Sequence, residues 1–331
     1  MSGLMTIDTE EQLEEFLCVP SEADRAAMAA LDGDLLVLGA GGKMGPSLVR
    51  RALRAAGSKR VMAVARSPIA GVETICADLL DRRQLAGLPD AANVIFMAGR
   101  KFGSTGNEPL TWATNALIPA LVAERYPESR IVAFSTGNIY PFVPVSGGGA
   151  TEQTPAAPVG EYAQSTLARE RLFEYFSLKN GTPMTILRLN YAIDLRYGVL
   201  LDIARKVFQR EPIDLTMGHV NVIWQGDANS ACLRSFDLCE SPPRVLNLTG
   251  AEVLSVRSLA ETFGERFGVA PVFAGSESDM ALLSNASKLH SILGSPDVSV
   301  ARMIEWVAHW VKAERPTWSK PTHFENRLGR F

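Results

Sequence analysis

A glycine cluster directly behind an apolar run constrains this chain more than any other feature. Asp34-Leu35-Leu36-Val37-Leu38 leads straight into Gly39-Ala40-Gly41-Gly42-Lys43-Met44-Gly45, and a helical pattern follows from Pro46 to Ala56. Glycines in such a turn admit a positive φ, let the backbone approach a phosphate, and let the helix pack closely on the strand. The free amides at the helix N-terminus then face the anion. Glycine-rich turns are common, and a purely structural turn is the alternative reading. Its position between a strand and a helix is what makes this cluster a dinucleotide-binding signal.

Apolar runs and helical patterns alternate over the first two thirds of the 331 residues. Strands are expected at Leu35–Leu38, Val61–Ala65, Thr74–Cys76, Val94–Ala98, Ile131–Ser135, Thr185–Leu189 and Val245–Leu248. Helices are expected at Ser47–Ala56, Trp112–Tyr126 and Tyr162–Ser177. This alternation predicts an α/β fold, a doubly wound parallel sheet with helices on both faces. A chain of this length exceeds one compact core, so a smaller C-terminal lobe is expected beside the sheet domain. Residues 1–30 read as an acidic helical extension, with Ser21 and Asp24 spaced as a capping box. The sheet domain is assigned to residues 31–189 with 221–250 returning to it. Residues 190–220 and 251–331 form the second lobe and tail.

Several partner classes are disfavoured. A net charge of −3 offers no electrostatic footprint for nucleic acid or an anionic membrane. No apolar run approaches the ~18 residues that span a bilayer. Cys18, Cys76, Cys232 and Cys239 lack metal-type spacing and read as reduced thiols of a cytoplasmic protein. His219, His290, His309 and His323 show no mutual ligand spacing, and no metal is expected. Arg196, Arg205, Arg210 and Arg234 read either as anion contacts or as solvated charges. The tail from Lys320 to Arg327 folds back over the body or onto another subunit.

The end of the second strand bears on cofactor choice. An NAD site usually carries a carboxylate there for the adenine ribose hydroxyls. This strand ends Val64-Ala65-Arg66-Ser67. Arg66 and Ser67 are suited to a 2′-phosphate, which favours NADP over NAD, and a solvated arginine is the alternative. Asp78, before Leu79, reads either as an acceptor for the adenine amino group or as an ordinary loop residue.

These pieces, with Val94-Ile95-Phe96-Met97-Ala98-Gly99-Arg100-Lys101, Asn115, Phe134-Ser135-Thr136-Gly137-Asn138-Ile139-Tyr140 and Leu187-Arg188-Leu189-Asn190, occur in an order that resembles the extended short-chain dehydrogenase/reductases of the nucleotide-sugar epimerase and dehydratase type. Val222–Asp227 and Val245–Leu248 extend the resemblance to residues 33–312. It implies that Gly39, Gly41, Gly42 and Gly45 form the phosphate turn and that Lys43 and Met44 cover the pyrophosphate. It implies further that Met97, Ala98, Gly99 and Lys101 line the nicotinamide half, with Asn115 near the ring and Asn190 in the cofactor-binding set. Thr136 matches the hydroxyl that hydrogen-bonds the substrate oxygen, and Tyr162 matches the catalytic tyrosine. A homodimer through the 112–126 and 162–177 helices is implied as well.

At one position the chain departs from that pattern. Tyr162-Ala163-Gln164-Ser165-Thr166 carries threonine where the family has a lysine one turn after the tyrosine. Phenols titrate near ~10 and need a nearby cation to act as bases at neutral pH. A unit charge a few ångströms away is worth roughly 4 kcal/mol at an effective dielectric of ~20. Thr166 shares the helix face of Tyr162 and is expected to meet the ribose without supplying charge. Lys101 is the expected substitute cation, and Arg169 lies one turn further. Two functions follow. One is an NAD(P)-dependent epimerase/dehydratase-type oxidoreductase acting on a sugar or nucleotide-sugar-like substrate, with Thr136 and Tyr162 polarising the substrate oxygen. The other is an NADP(H)-binding sensor or partner-binding protein without turnover.

If Arg66 pairs with a 2′-phosphate, Arg66→Ala weakens NADP binding by roughly 1.5–3 kcal/mol more than NAD binding. Equal losses in equilibrium titrations with the two dinucleotides would return NAD as the default.

Overall fold

The computed structural model describes residues 6–331, so residues 1–5 of the expected extension lie outside the described residues. Seven strands form one sheet: β1 (Leu35–Leu38), β2 (Val61–Ala65), β3 (Thr74–Cys76), β4 (Asn93–Phe96), β5 (Arg130–Thr136), β6 (Met184–Leu189) and β7 (Arg244–Leu248). Their spatial order is β3-β2-β1-β4-β5-β6-β7. Every neighbouring pair is parallel, with Leu35 in register with both Val61 and Asn93. The winding therefore reverses between β1 and β4. In an open parallel sheet, the crevice at the carboxyl ends of two such strands is where ligands bind.

The strands look like unbroken apolar runs because both faces are covered. Each residue of β1, β2 and β4 is buried. Period-two geometry divides β1 between the faces. Leu35 and Val37 pack with Leu48, Val49 and Ala52 of α3 (Gly45–Ala55) and with Leu233 of α9 (Gln225–Arg234). Leu36 and Leu38 pack on the other side with Leu121 and Val122 of α6 (Ile118–Arg125) and with Phe173 of α7 (Gly160–Asn180). The helix expected at 112–126 begins earlier, as α5 (Glu108–Trp112), and passes into α6 through one π turn at Ala113–Leu117. Leu110, Trp112 and Leu117 here, and Tyr175 and Leu178 on α7, remain exposed, which leaves apolar surface on both helices named in the dimer expectation.

A second core holds the rest of the chain. It joins α8 (Val199–Gln209), α10 (Val256–Phe267) and α12 (Val300–Lys312) around Leu200, Ile203, Phe263, Val307 and Trp310. The N-terminal helices are not an appendage to either core. Leu13 and Leu17 of α1 (Glu10–Cys18) lie in this second core, whereas Met28 of α2 (Glu22–Ala30) lies against the sheet. Ser21 and Asp24 form the capping box that their spacing predicts. Beyond α12 the tail turns back over this chain's own body: Phe324 is buried, and the Arg327 guanidinium donates to the Thr216 and Met280 carbonyls. No helix among the described residues is long and apolar enough to cross a membrane.

The extension is locked to the sheet domain through one buried carboxylate. Asp24 Oδ2 accepts from Arg51 Nη2 at 2.6 Å and from the Ser21 amide at 2.8 Å, while Oδ1 accepts from the Ser230 hydroxyl. Both charged side chains are nearly or fully out of solvent. Removing one partner strands the other, so Asp24→Ala is expected to cost about 3–5 kcal/mol in urea unfolding. A loss below about 1 kcal/mol would show that the pair does not hold the extension.

Candidate active site

Two backbone contacts shape the turn after β1. Gly39 has φ +84°, and a Cβ there would stand 2.5 Å from the Ala98 Cα and N. On Gly45 a Cβ would stand 2.1 Å from the Ala40 carbonyl oxygen. These glycines let the turn touch the segment after β4 and let α3 start directly behind it. Gly42 differs, since its Cβ would meet only the Gly39 carbonyl at 3.8 Å, an ordinary contact.

An open cleft of about 1290 Å³ runs along the carboxyl edge of the sheet. Gly39, Gly41 and Gly42 form its floor. Arg66 and Ser67 border it after β2, Asp78 and Leu79 after β3, and Met97, Ala98, Gly99 and Lys101 after β4. Arg66 and Ser67 are exposed, and Arg66 makes no ion pair among the described residues. The opposite wall comes from a source the sequence reading missed. Glu10, Glu11, Glu14 and Glu15 of α1 face the cleft together with Arg50, Arg54 and Arg196. Glu14 bridges Arg50 and Arg196 at 2.6 and 2.7 Å, and Glu15 pairs with Arg54 at 2.7 Å. The only sequence hint was an acid-rich α1 beside an arginine-rich α3.

Behind the cleft lies a pocket of about 170 Å³, bordered by Lys43, Met44, Lys101, Thr136, Tyr162 and Asn190. Lys101 borders both cavities. Lys43 and Met44, expected over the pyrophosphate, border this inner pocket. Thr136 ends β5 and caps the following turn: its hydroxyl accepts from the Asn138 amide and lies 3.2 Å from Asn138 Oδ1. Tyr162 stands in the first turn of α7, with the Phe331 ring edge-on at 5.7 Å and Lys101 Nζ 5.8 Å from its own ring centre.

Three expected site residues border neither cavity. Gly45 is buried beneath the turn. Asn115 is fully buried in the π turn, where Oδ1 accepts from the Arg100 amide and Nδ2 donates to the Arg100 carbonyl and to Ser165 Oγ. It clamps the loop that carries Lys101. Thr166 is buried, and its hydroxyl donates back to the Tyr162 carbonyl at 2.8 Å instead of pointing into the cleft. That i to i−4 bond satisfies a hydroxyl on a buried helix face without any ligand.

Helix α7 is held on the sheet by charge. Glu170 accepts from Arg188 at 2.8 Å and from Ser135 Oγ, and Arg188 also donates to the Tyr140 hydroxyl at 2.7 Å. One residue earlier, the buried Arg169 has no carboxylate partner among the described residues. Its guanidinium donates to the Phe134 carbonyl at 2.7 Å and to Asn115 Oδ1 at 3.1 Å. Burial lowers its pKa to about 10, opposed by the nearby Tyr162 and Glu170. Burial also pushes the Lys101 amine down to about 8, with Asp202 opposing. For Lys43, burial and then the charges of Lys101 and Lys320 push the amine down to about 7. Three poorly compensated cations thus sit around Thr136 and Tyr162.

Residues 35–193, just under half of the chain, match the model of the NAD dependent epimerase/dehydratase family. No curated protein matches the sequence. Among solved structures, the chain is similar to the Thermotoga maritima UDP-glucose 4-epimerase with UDP-glucose, at TM-score 0.71 and 15% identity over 85% of this chain and 99% of that one. The Thermus thermophilus UDP-glucose 4-epimerase in complex with NAD gives 0.69 and 22%, over 84% and 99%. The Streptomyces venezuelae dTDP-glucose 4,6-dehydratase with NAD and TYD bound gives 0.71 and 17%, over 84% and 96%. At these identities the structural likeness is one of fold.

The two kinds of glycine in the turn separate folding from binding. Gly42→Val adds bulk on the cleft floor without a protein clash, so a folded variant is expected to lose dinucleotide binding. Gly39→Val drives a side chain into the Ala98 backbone at a positive φ and is expected to unfold the protein. Circular dichroism and dinucleotide titration of both variants check this. Unchanged affinity in Gly42→Val would move the pyrophosphate away from the turn.

Proposed function

We propose that the chain is a member of the epimerase/dehydratase family and works as an NAD(P)-dependent oxidoreductase on a sugar-like substrate. The observation that carries this reading is that Lys101 borders both cavities, the cleft lined by Gly39, Gly41 and Gly42 and the pocket bordered by Thr136 and Tyr162. The family match over residues 35–193 supports the same reading. So do the neighbours' own NAD and nucleotide-sugar ligands.

The cleft residues fit a dinucleotide. Gly42 leaves the floor open, the first amides of α3 are free of side-chain caps, and Arg66 is unpaired near the adenosine end. Arg66 supports NADP, and the NAD named with the neighbours supports the alternative. When bound, the nicotinamide supplies the hydride acceptor or donor.

The chain's own groups handle the substrate oxygen. The Thr136 hydroxyl turns from Asn138 to donate to that oxygen, and the Tyr162 hydroxyl takes up or returns its proton. Lys101 is the cation beside Tyr162, in place of the amine that Thr166 lacks. Asn115 holds the Arg100–Lys101 backbone, and Glu170 with Arg188 holds α7, so the tyrosine and the cation keep one separation. Arg169 contributes positive charge from beneath the helix. This is electrostatic preorganisation by groups fixed before substrate arrives.

Two observations favour the reading without turnover. The Thr166 hydroxyl is committed to the helix backbone, and the Phe331 ring packs against Tyr162. The two readings part in one assay that follows reduced-nicotinamide absorbance while sugars and nucleotide sugars are added. For an enzyme, Tyr162→Phe lowers turnover by at least ~10²-fold while dinucleotide affinity is kept, and Lys101→Met lowers it by a similar factor. Turnover that survives Tyr162→Phe would assign the proton to another group. Tight dinucleotide binding with no turnover in any background would establish the sensor reading.

A further inference from the structure

The inner pocket is lined by donors that have nothing to donate to. Lys43 Nζ and Asn190 Nδ2 are both buried, and neither has a hydrogen-bond partner among the described residues. Both residues border the same 170 Å³ pocket, as does Lys101, and no carboxylate borders it among the described residues. Lys43 Nζ rests 3.0 Å from the Tyr197 ring centre and 4.1 Å from that of Phe102. Those ring faces soften the cost of burying a cation, but they accept no hydrogen bond of ordinary strength. The nearest acid, Asp202, is already engaged: its Oδ2 accepts from both the amide and the hydroxyl of Thr322.

We propose that the substrate of this site carries an anionic group, a carboxylate or a phosphate, that is received in the inner pocket between Lys43, Asn190 and Lys101. The proposal rests on the reading of the site given above and narrows it to a substrate whose sugar-sized group, the one seated in the inner pocket, itself bears the charge. An anion supplies the acceptor atoms that Lys43 and Asn190 lack and offsets the repulsion between the two lysines. Pocket size points the same way. About 170 Å³ holds a group of monosaccharide size. The tail closes the pocket further: Trp318 stacks on Tyr197 at 6.3 Å, and Thr322 borders the pocket.

The charge on Lys43 makes this recognition depend on pH. The groups acting on it are Lys101 from the loop after β4, Lys320 from the tail, Asp202 from α8 and Asp194 from the loop before α8, with Tyr197 at its face. Its amine titrates at about 7, so acidic solution keeps the receptor charged and alkaline solution discharges it.

Calorimetric titration of the dinucleotide-saturated protein tests the proposal with four probes: D-glucuronate, D-glucose 6-phosphate, inorganic phosphate and neutral D-glucose. At pH about 6 at least one acidic sugar is expected to bind 10-fold or more tightly than glucose, and which of the two does so identifies carboxylate or phosphate. Glucuronate stays ionised throughout, so a loss of its advantage by pH about 9 reports the protein. Lys43→Met is expected to abolish the preference and Asn190→Leu to reduce it. Lys43→Arg, charged at either pH, should keep the preference at pH about 6 and leave only the weaker pH dependence that Lys101, whose amine burial lowers to about 8, contributes. Equal binding of acid and neutral sugar, a preference that survives Lys43→Met, or no response to any anion would each overturn the proposal. The same variants are titrated with dinucleotide alone, and the anion titrations are repeated without it. Absence of dinucleotide binding would then overturn the reading of the outer cleft, while the anion data still decide the inner pocket.

Discussion

The approach of Gly39 to the Ala98 backbone is the constraint on which the site depends. A side-chain atom at Gly39 would overlap Ala98 by more than an ångström. Because the contact is backbone to backbone, β1 and β4 stay close to their ends before the chain diverges at the reversal of winding. The loop carrying Met97 to Phe102 is thereby brought beside the glycine turn, and Lys101 borders both cavities.

Charge is distributed in two ways. Asp24 with Arg51, and Glu170 with Arg188, are buried pairs with further hydrogen bonds to Ser230, Ser135 and Tyr140. Each ties a helix to a neighbour in one geometry, and a buried pair so satisfied is costly to break from either side. Arg169, Lys101 and Lys43 are cations with no carboxylate in a salt bridge among the described residues; Lys101 and Lys43 border the inner pocket, and Arg169 is buried against Phe134 and Asn115. Burial acts against their charge, which is why their pKa values fall to about 10, 8 and 7. The paired charges tie helices to their neighbours, and the unpaired lysines lie at the candidate site.

The N- and C-terminal segments both contribute to the site. Helix α1 adds an acidic wall to the cleft while its Leu13 and Leu17 enter the second core. The tail returns across that core to stand Phe331 against Tyr162 and Thr322 against Asp202. Glu14 of α1 bridges Arg50 and Arg196 at the wall of the cleft.

The parallel sheet was legible in the sequence because strands buried on both faces are continuous apolar runs, and all seven lie where those runs stand, with ends shifted by one or two residues. The glycine turn was legible because backbone contact and positive φ restrict residue choice at Gly39 and Gly45. Ser21 and Asp24 showed their capping box for the same local reason. What pattern could not reveal was direction. Lys43 lies within the glycine turn and borders the inner pocket, Asn115 clamps the Arg100 backbone, and Thr166 bonds back to Tyr162. Spacing fixes a helix face or a loop position, but side-chain orientation depends on which distant groups pack there. The destination of the tail was likewise decided by contacts with Thr216, Met280 and Asp202, far from it in the chain. Local geometry, set by neighbours in sequence, was written in the sequence; burial and pairing, set by neighbours in space, were decided by the tertiary structure.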